Sequence, residues 1–444
     1  MERRGFIVGS AGAAVVAALG GAAVPAKAAA ASSQTSGAAH VRGVTAITQV
    51  FGTGQKLTAV AVEYDQDLDA SKLSTTTYKV ANRTITRVYA NREAGLGPAT
   101  RRGRYVIVEL SPDDATAALW VTQQGTGSGG PPPGPGGPTV GDSTPGGTIT
   151  AAKATLVQQE PVYTAHGAEY PAADTMLTTS KVVNLIVDEF RQFAYHDPAT
   201  GRTLKYNLFV PRHLDHRRSY PLVTFMHDAS VVNVATVGPL VQGLGAVCWA
   251  SRADQARHES FVLAPEYPAV VIDDNYKPST YFDATVNLIK SLTSQLPIDR
   301  GRLYVTGQSM GAMMALGMNI KHPGLFAASL IVAGQWPASQ AGPLAKKNLW
   351  VVVSKGDTKA YPGENAIMSE VEKAGAKVTT ATWNGESSGA EFAADVSSME
   401  AHGTNINYAA FKEGTLGSGS EHMGTWHVAY SIPGVRDWIM SQSL

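Results

Sequence analysis

A chain of 444 residues with 44% hydrophobic content has room for two domains of ordinary globular composition. Its 36 basic residues balance 36 acidic ones, which argues against nucleic acid or an anionic membrane as the main partner. Cys248 is the single cysteine, so no intrachain disulfide is possible. It sits in the apolar run 245–250 and reads as a buried, inert thiol. No metal-ligand set has the required spacing, and neither metal nor cofactor is expected.

Residues 1–30 read as an export signal, not as structure. Arg3-Arg4 precede Gly5-Phe6-Ile7 and a mildly apolar Ala/Gly stretch to about Val24, and Ala26-Lys27-Ala28 offers a cleavage site. Paired arginines before a weakly apolar core suggest twin-arginine export, with an ordinary secretory signal as the alternative. Either predicts a secreted protein, and no later segment is long and apolar enough to span a bilayer.

The next stretch reads as β. Short runs rich in Thr, Val and Tyr at 44–51, 57–64, 78–80, 84–89 and 105–110 lack helical periodicity and predict a small immunoglobulin-like sandwich over 41–180. Residues 125–149 are Gly/Pro/Ser/Thr-rich around Pro131-Pro132-Pro133 and cannot form a packed element. Strand-like runs at 154–157 and 162–164 follow. They favour reading the tract as a long loop inside this domain over a linker between two.

From 183 to 444 the rhythm changes. Two strands, 188–195 and 203–210, flank an Asp197-Pro198 turn. Apolar strands at 221–226, 261–264, 303–306, 328–332, 348–353 and 406–411 then alternate with helical stretches at 280–295, 312–322, 364–374 and 391–402. Such alternation predicts an α/β domain with a mostly parallel sheet covered by helices on both faces. Its chemistry should gather beyond the carboxyl ends of the strands.

Gly307-Gln308-Ser309-Met310-Gly311 lies at one such end, between an apolar run and a helical one. A serine on a tight strand-to-helix turn exposes its hydroxyl above the sheet, and the following N–H points at any oxyanion formed there. Chance supplies the pattern about 0.3 times in a chain this rich in glycine. A second copy, Gly385-Glu386-Ser387-Ser388-Gly389, does occur. Chain order separates them: a Ser-Asp-His order needs βα units of roughly 30 residues between its members. Only Ser309 is followed by enough chain, so Ser387 reads as a surface turn.

Serine needs a base, and the base needs an orienting acid. Asp357 follows the strongest β run of the chain and fits the acid. His402, His422 and His427 all lie beyond it. His402 reads as a helix-end residue. His422, in a Gly/Ser-rich loop before a helix expected from Trp426 to Met440, is preferred as base, with His427 as the alternative. Met310 and Ala229 N–H groups are the expected oxyanion donors, and His227 is read as pinning that loop. Trp249, Trp336 and Trp426 are candidates to line a substrate pocket.

These residues carry a resemblance. Leu222-Val223-Thr224-Phe225-Met226-His227-Asp228-Ala229-Ser230, Gln242-Gly243-Leu244-Gly245-Ala246, the Ser309 elbow, Gly356-Asp357 with Tyr361-Pro362-Gly363, and His422 with Thr425-Trp426 and Tyr430 resemble bacterial secreted α/β-hydrolases. These are esterases or predicted peptidases, polyhydroxybutyrate-depolymerase-like and feruloyl-esterase-like, some with an N-terminal immunoglobulin-like domain. The resemblance covers 183–444 well and the β domain loosely. It implies a triad of Ser309, Asp357 and His422. Where that family has glycine after the loop histidine this chain has Asp228, and its His422-to-Trp426 spacing is one residue longer.

The sequence thus predicts an exported serine hydrolase acting on small or polymeric carboxylic esters. The alternatives are a peptidase acting on short peptides and a polymer-binding protein with secondary hydrolase activity. Oligomeric state is not written in the sequence.

Overall fold

The computed structural model describes residues 37–122, 137–417 and 419–444. The expected export signal lies outside the described residues, as does the first part of the Gly/Pro-rich tract.

Twelve short strands come first. Five of them, β1 (Val41–Phe51), β2 (Gly54–Asp69), β4 (Ile85–Asn91), β5 (Arg102–Leu110) and β12 (Lys181–Asn184), form one sheet in the order β12-β1-β2-β5-β4. A facing sheet holds β3 (Tyr78–Val80), β8 (Thr155–Gln158) and β11 (Ala173–Thr178) in the order β11-β8-β3. Two-residue alternation explains the sandwich. Val60, Val62, Val106 and Val108 point into the core shared with Leu156 and Val80, while Ala59, Ala61 and Ile107 point to the opposite face beneath Tyr89. Two small pairs complete the region: β6 (Trp120–Thr122) with β7 (Gly147–Ile149), and β9 (Val162–Tyr163) with β10 (Glu169–Tyr170). Because β6 and β7 pair antiparallel, the Gly/Pro-rich tract leaves and re-enters the same ribbon. Its described part is stitched to the loops that follow. Gly141 N–H donates to the Val270 carbonyl (3.0 Å), Val270 N–H donates to the Asp142 carbonyl (2.8 Å), and Gly146 N–H donates to the Ser230 carbonyl (2.8 Å).

The second region is a nine-stranded sheet. Its strands are β13 (Arg191–His196), β14 (Thr203–Phe209), β15 (Tyr220–Met226), β16 (Phe261–Glu266), β17 (Ile298–Gln308), β18 (Ala328–Val332), β19 (Asn348–Ser354), β20 (Val378–Trp383) and β21 (Ile406–Phe411). They run in the order β13-β14-β16-β15-β17-β18-β19-β21-β20, antiparallel at β13 and β14 and parallel from β16 onward. β15 and β18 are buried along their whole length, and β17 from Leu303 to Gln308, because helices cover both faces. After β15 come three short helices, α1 (Gly238–Val241), α2 (Leu244–Val247) and α3 (Arg252–Arg257). Longer ones follow: α4 (Tyr281–Gln295), α5 (Met310–Lys321), α6 (Ala360–Lys373), α7 (Gly389–Glu400), α8 (Glu421–Ala429) and α9 (Pro433–Met440). The architecture is an α/β-hydrolase fold preceded by an immunoglobulin-like β-sandwich. Trp120 of β6 is buried with the core of the nine-stranded region, not with the sandwich.

Cys248 is buried in this core, and burial pushes its thiol up to about 12. Among the described residues no helix is long and apolar enough to cross a membrane.

Glu266 ends β16 with one buried carboxyl oxygen unpartnered. Burial pushes the group from 4.5 up to about 7, against the downward pull of Lys205 and the Asn233 and Val234 N–H groups. The folded protein therefore keeps a proton that the unfolded chain has released, and stability falls as pH rises from about 4.5 to about 7. Glu266→Gln is expected to raise Tm more at pH 8 than at pH 5. Equal shifts at both pH values in a thermal melt would contradict this assignment.

Candidate active site

Ser309 sits between β17 and α5 at φ 50° and ψ −117°, a backbone conformation costly for a residue with a Cβ. The two glycines follow from close approach. A Cβ on Gly307 would lie 2.3 Å from the Gly311 carbonyl carbon, and one on Gly311 would lie 2.0 Å from the Met226 carbonyl oxygen. The elbow is thus folded tightly on itself and pressed against the end of β15. The rival copy is not an elbow: a Cβ on Gly385 would meet the Thr415 carbonyl, not its own motif, and one on Gly389 would meet nothing. Ser387 N–H donates to the Asn384 carbonyl in an ordinary turn, and Ser388 caps α7 in a capping box with Glu391. Ser387 is not among the residues with positive φ.

His422 Nε2 lies 2.9 Å from Ser309 Oγ, and His422 Nδ1 lies 2.5 Å from Asp357 Oδ2. Asp357 stands just past β19, where its other oxygen accepts the N–H groups of Lys359 (3.0 Å) and Ala360 (2.8 Å) at the start of α6. Burial alone would raise its carboxyl. The hydrogen bond and charge of His422 and the two N–H groups outweigh burial and hold it below the usual carboxylate value. With Asp357 accepting, Nδ1 carries the proton and Nε2 is left to accept from the serine.

His422 is not in a loop as expected: it is the second residue of α8, which begins at Glu421, five residues before the expected Trp426. Ser420 caps this helix by accepting the Met423 N–H. Glu421 fixes its start, accepting hydrogen bonds from Ser354 Oγ at the end of β19 and from the Gly414 N–H (2.9 Å). The expected helix is also broken, since Pro433 opens a separate α9. The alternative base, His427, lies on α8 facing the β1–β2 turn, and its ring makes no hydrogen bond to Ser309 or Asp357.

Met310 opens α5 and Ala229 opens a 3₁₀ turn after β15, so both N–H groups are helix-start donors left without a backbone acceptor. Both residues line the cleft that holds Ser309. Asp228 Oδ1 organises the Ala229 loop by accepting from Ser230 N (2.8 Å) and Ser230 Oγ (2.5 Å), and Gln308 Nε2 donates to Oδ2 (2.8 Å). His227 pins the loop from behind: Nδ1 donates to the Asp228 carbonyl (2.7 Å) and Nε2 accepts the Tyr267 N–H (3.1 Å). Its burial depresses the imidazole's basicity, partly offset by Asp228.

The cleft has a volume of about 440 Å³. Its floor is apolar, with Ile272, Met310, Met313 and Ala333 around Ser309, and Ala333 shares the elbow's positive φ (51°) at the end of β18. Of the three candidate tryptophans only Trp426 lines it, edge-on to His422 with ring centres 5.0 Å apart. Trp249 and Trp336 do not. Trp249 donates its N–H to the Gly245 carbonyl (3.1 Å), and Trp336 donates to Gln340 Oε1 (3.1 Å) and packs over Gly317. A buried indole needs an acceptor: Trp249 finds one inside the fold and Trp336 finds one on the exposed Gln340, and neither lines the cleft. Among the described residues no group of three His, Cys, Asp or Glu is placed to hold a metal. Three features escaped sequence reading: the Glu421 anchor, the Gln308–Asp228 contact and the approach of the β domain. Only the first had a local signal, its place immediately before His422.

The profile of the family described as esterase Ig-like N-terminal domain matches residues 43–171. Among solved structures the chain is similar to a thermostable esterase at 26% identity and a TM-score of 0.76, with 91% of this chain and 100% of that one covered. It is more distantly similar to a ferulic acid esterase from Anaeromyces mucronatus in complex with ferulic acid (12% identity, TM-score 0.38, 57% of this chain and 90% of that one). An acetyl xylan esterase from Aspergillus awamori shares 16% identity at a TM-score of 0.31, over 41% of this chain and 80% of that one. No curated protein matches. The chain has an α/β-hydrolase fold, and its N-terminal β domain matches the immunoglobulin-like domain of esterases over residues 43–171.

Proposed function

We propose that the protein is an exported carboxylesterase-type hydrolase that cleaves esters through an acyl-enzyme on Ser309. The observation that carries the reading is the unbroken Ser309–His422–Asp357 chain, with links of 2.9 and 2.5 Å. Ser309 Oγ attacks the ester carbonyl carbon while His422 Nε2 takes its proton. The carbonyl oxygen gains the displaced electron pair and is held by the Met310 and Ala229 N–H groups. Collapse of this intermediate breaks the bond to the alcohol oxygen, which leaves with the proton from His422. Water then repeats the sequence on the acyl-serine and releases the acid. Asp357 accepts from Nδ1 throughout and stabilises the imidazolium without taking the proton.

Likeness to a thermostable esterase over that protein's whole length supports ester substrates. The Arg3-Arg4 segment and the Ala26-Lys27-Ala28 site support export, and the N-terminal residue of protein recovered from culture medium checks it. The reaction is tested with a chain-length series of p-nitrophenyl esters beside feruloyl esters and aminoacyl anilides. The expected result is turnover of esters in preference to anilides, with an organophosphonate adduct on the peptide that contains Ser309. Preference for anilides would make the protein a peptidase.

A further inference from the structure

A second cleft, of about 210 Å³, opens beside the reaction cleft, and Asp228, Ser230, Met423 and Trp426 line both. Its far side belongs to the β domain, which supplies Thr53 from the β1–β2 turn and Trp120 and Thr122 from β6. The two regions meet closely there. A Cβ on Gly52 would lie 2.1 Å from the His427 carbonyl oxygen, and the Trp120 ring is wedged against Gly147 and Gly54, where Cβ atoms would come within 2.4 and 2.7 Å of it and its stem.

The polar groups facing this cleft are not all satisfied by the protein. Gln242 is 6% exposed and accepts from Gln308 Nε2 (3.2 Å), yet its own Nε2 is buried with no acceptor among the described residues. That amide is sealed from solvent, so it cannot pair with a group in the cleft as it stands. His427 lines the same cleft, and its burial favours the neutral ring, with Asp228 pulling the other way, so the imidazole offers one donor and one acceptor. Trp120 and Trp426 add flat apolar walls.

We propose that this seam is the alcohol-side subsite of the esterase, built jointly by both domains, and that it takes a small polyhydroxylated alcohol. The inference rests on the ester-hydrolase reading above. It follows from the mixed donor and acceptor set of His427, Thr53 and Ser230, because a hydroxyl can serve both, whereas an alkyl alcohol can pair with none of them. An anionic alcohol would be set against the Asp228 carboxyl. The volume, about half that of the reaction cleft, restricts the group to a few carbons. The position is apt for a leaving group, since it adjoins the cleft that holds Ser309 and shares Asp228, Ser230, Met423 and Trp426 with it.

The test compares glyceryl monobutyrate with propyl butyrate, which share the acyl group and the three-carbon alcohol and differ only in hydroxyls. Wild-type protein is expected to favour the glyceryl ester at least tenfold in kcat/KM. Thr53→Trp, which fills the cleft from the β domain, should cut that ratio to within about threefold of unity. His427→Phe, which keeps bulk but loses both polar groups, should do the same and decides the matter if the first variant fails to fold. An equal or better propyl ester in wild-type protein, or a preference untouched in a folded variant, overturns the subsite. No turnover of either ester would instead remove the hydrolase reading. In that event tryptophan-fluorescence titration of Ser309→Ala with glyceryl monobutyrate decides: saturable quenching lost on adding Thr53→Trp supports the subsite, and no quenching overturns it.

Discussion

Ser309→Ala is expected to lower kcat on a p-nitrophenyl ester by roughly 10⁴ to 10⁶-fold, leaving only what the oxyanion donors and binding supply. Ser387→Ala, which changes the other Gly-x-Ser-x-Gly copy, should alter it less than about twofold, as surface changes away from a site do. The contrast is large because the two copies differ in backbone, not in letters. Ser309 is held at φ 50° with His422 Nε2 2.9 Å from its hydroxyl, whereas Ser387 lies in a turn ahead of a capped helix. Steady-state rates of both variants, with thermal melts to confirm folding, check this. Loss of activity in the Ser387 variant would mean that the wrong elbow has been chosen.

Removing the base should have a comparable effect. His422→Ala is expected to cost roughly 10⁴ to 10⁶-fold in kcat, and Asp357→Asn roughly 10⁴-fold, because an amide donor facing Nδ1 selects the wrong tautomer. His427→Ala should cost less than about tenfold on the same substrate, since its ring serves neither Ser309 nor Asp357. Pre-steady-state traces add a second reading: the His422 variant should show no burst of p-nitrophenol. An intact burst in that variant would move the base to His427.

Much of this site is legible in the sequence because its parts are local. β19 holds a run of buried apolar residues from Leu349 to Val353, and the acid that follows it must stand at a strand end. Alternation of β17, α5, β18 and β19 by itself places Ser309 and Asp357 on the same edge. What misleads is chemistry that one residue can override. Gly417 and Gly419, both with positive φ, promise a loop, but Ser420 caps the next residues into α8 and carries His422 on a rigid element. The short helices α1 to α3 leave too little periodicity to read. Trp249 is held inward by its hydrogen bond to the Gly245 carbonyl and Trp336 by its packing over Gly317, contacts no sequence pattern displays. The meeting of the domains is illegible for a deeper reason. The fit of Gly52 to His427, and of Gly146 to Ser230, joins positions far apart in the chain, and only the completed fold brings them together.

The hydrogen bond from Gly146 to the Ser230 carbonyl has a consequence for how this protein could be recombined. Esterases are often pictured as interchangeable catalytic bodies with accessory heads. Here the head's own loop braces the turn beside Ala229, and its Trp120 is packed into the body's core. A chimera that kept residues 183–444 and received a different head would inherit the elbow, the acid and the base. It would also lose the brace on the Ala229 loop and the side of the second cleft formed by Thr53, Trp120 and Thr122. The two halves of this chain are therefore bound to drift together, each constraining which changes the other can accept.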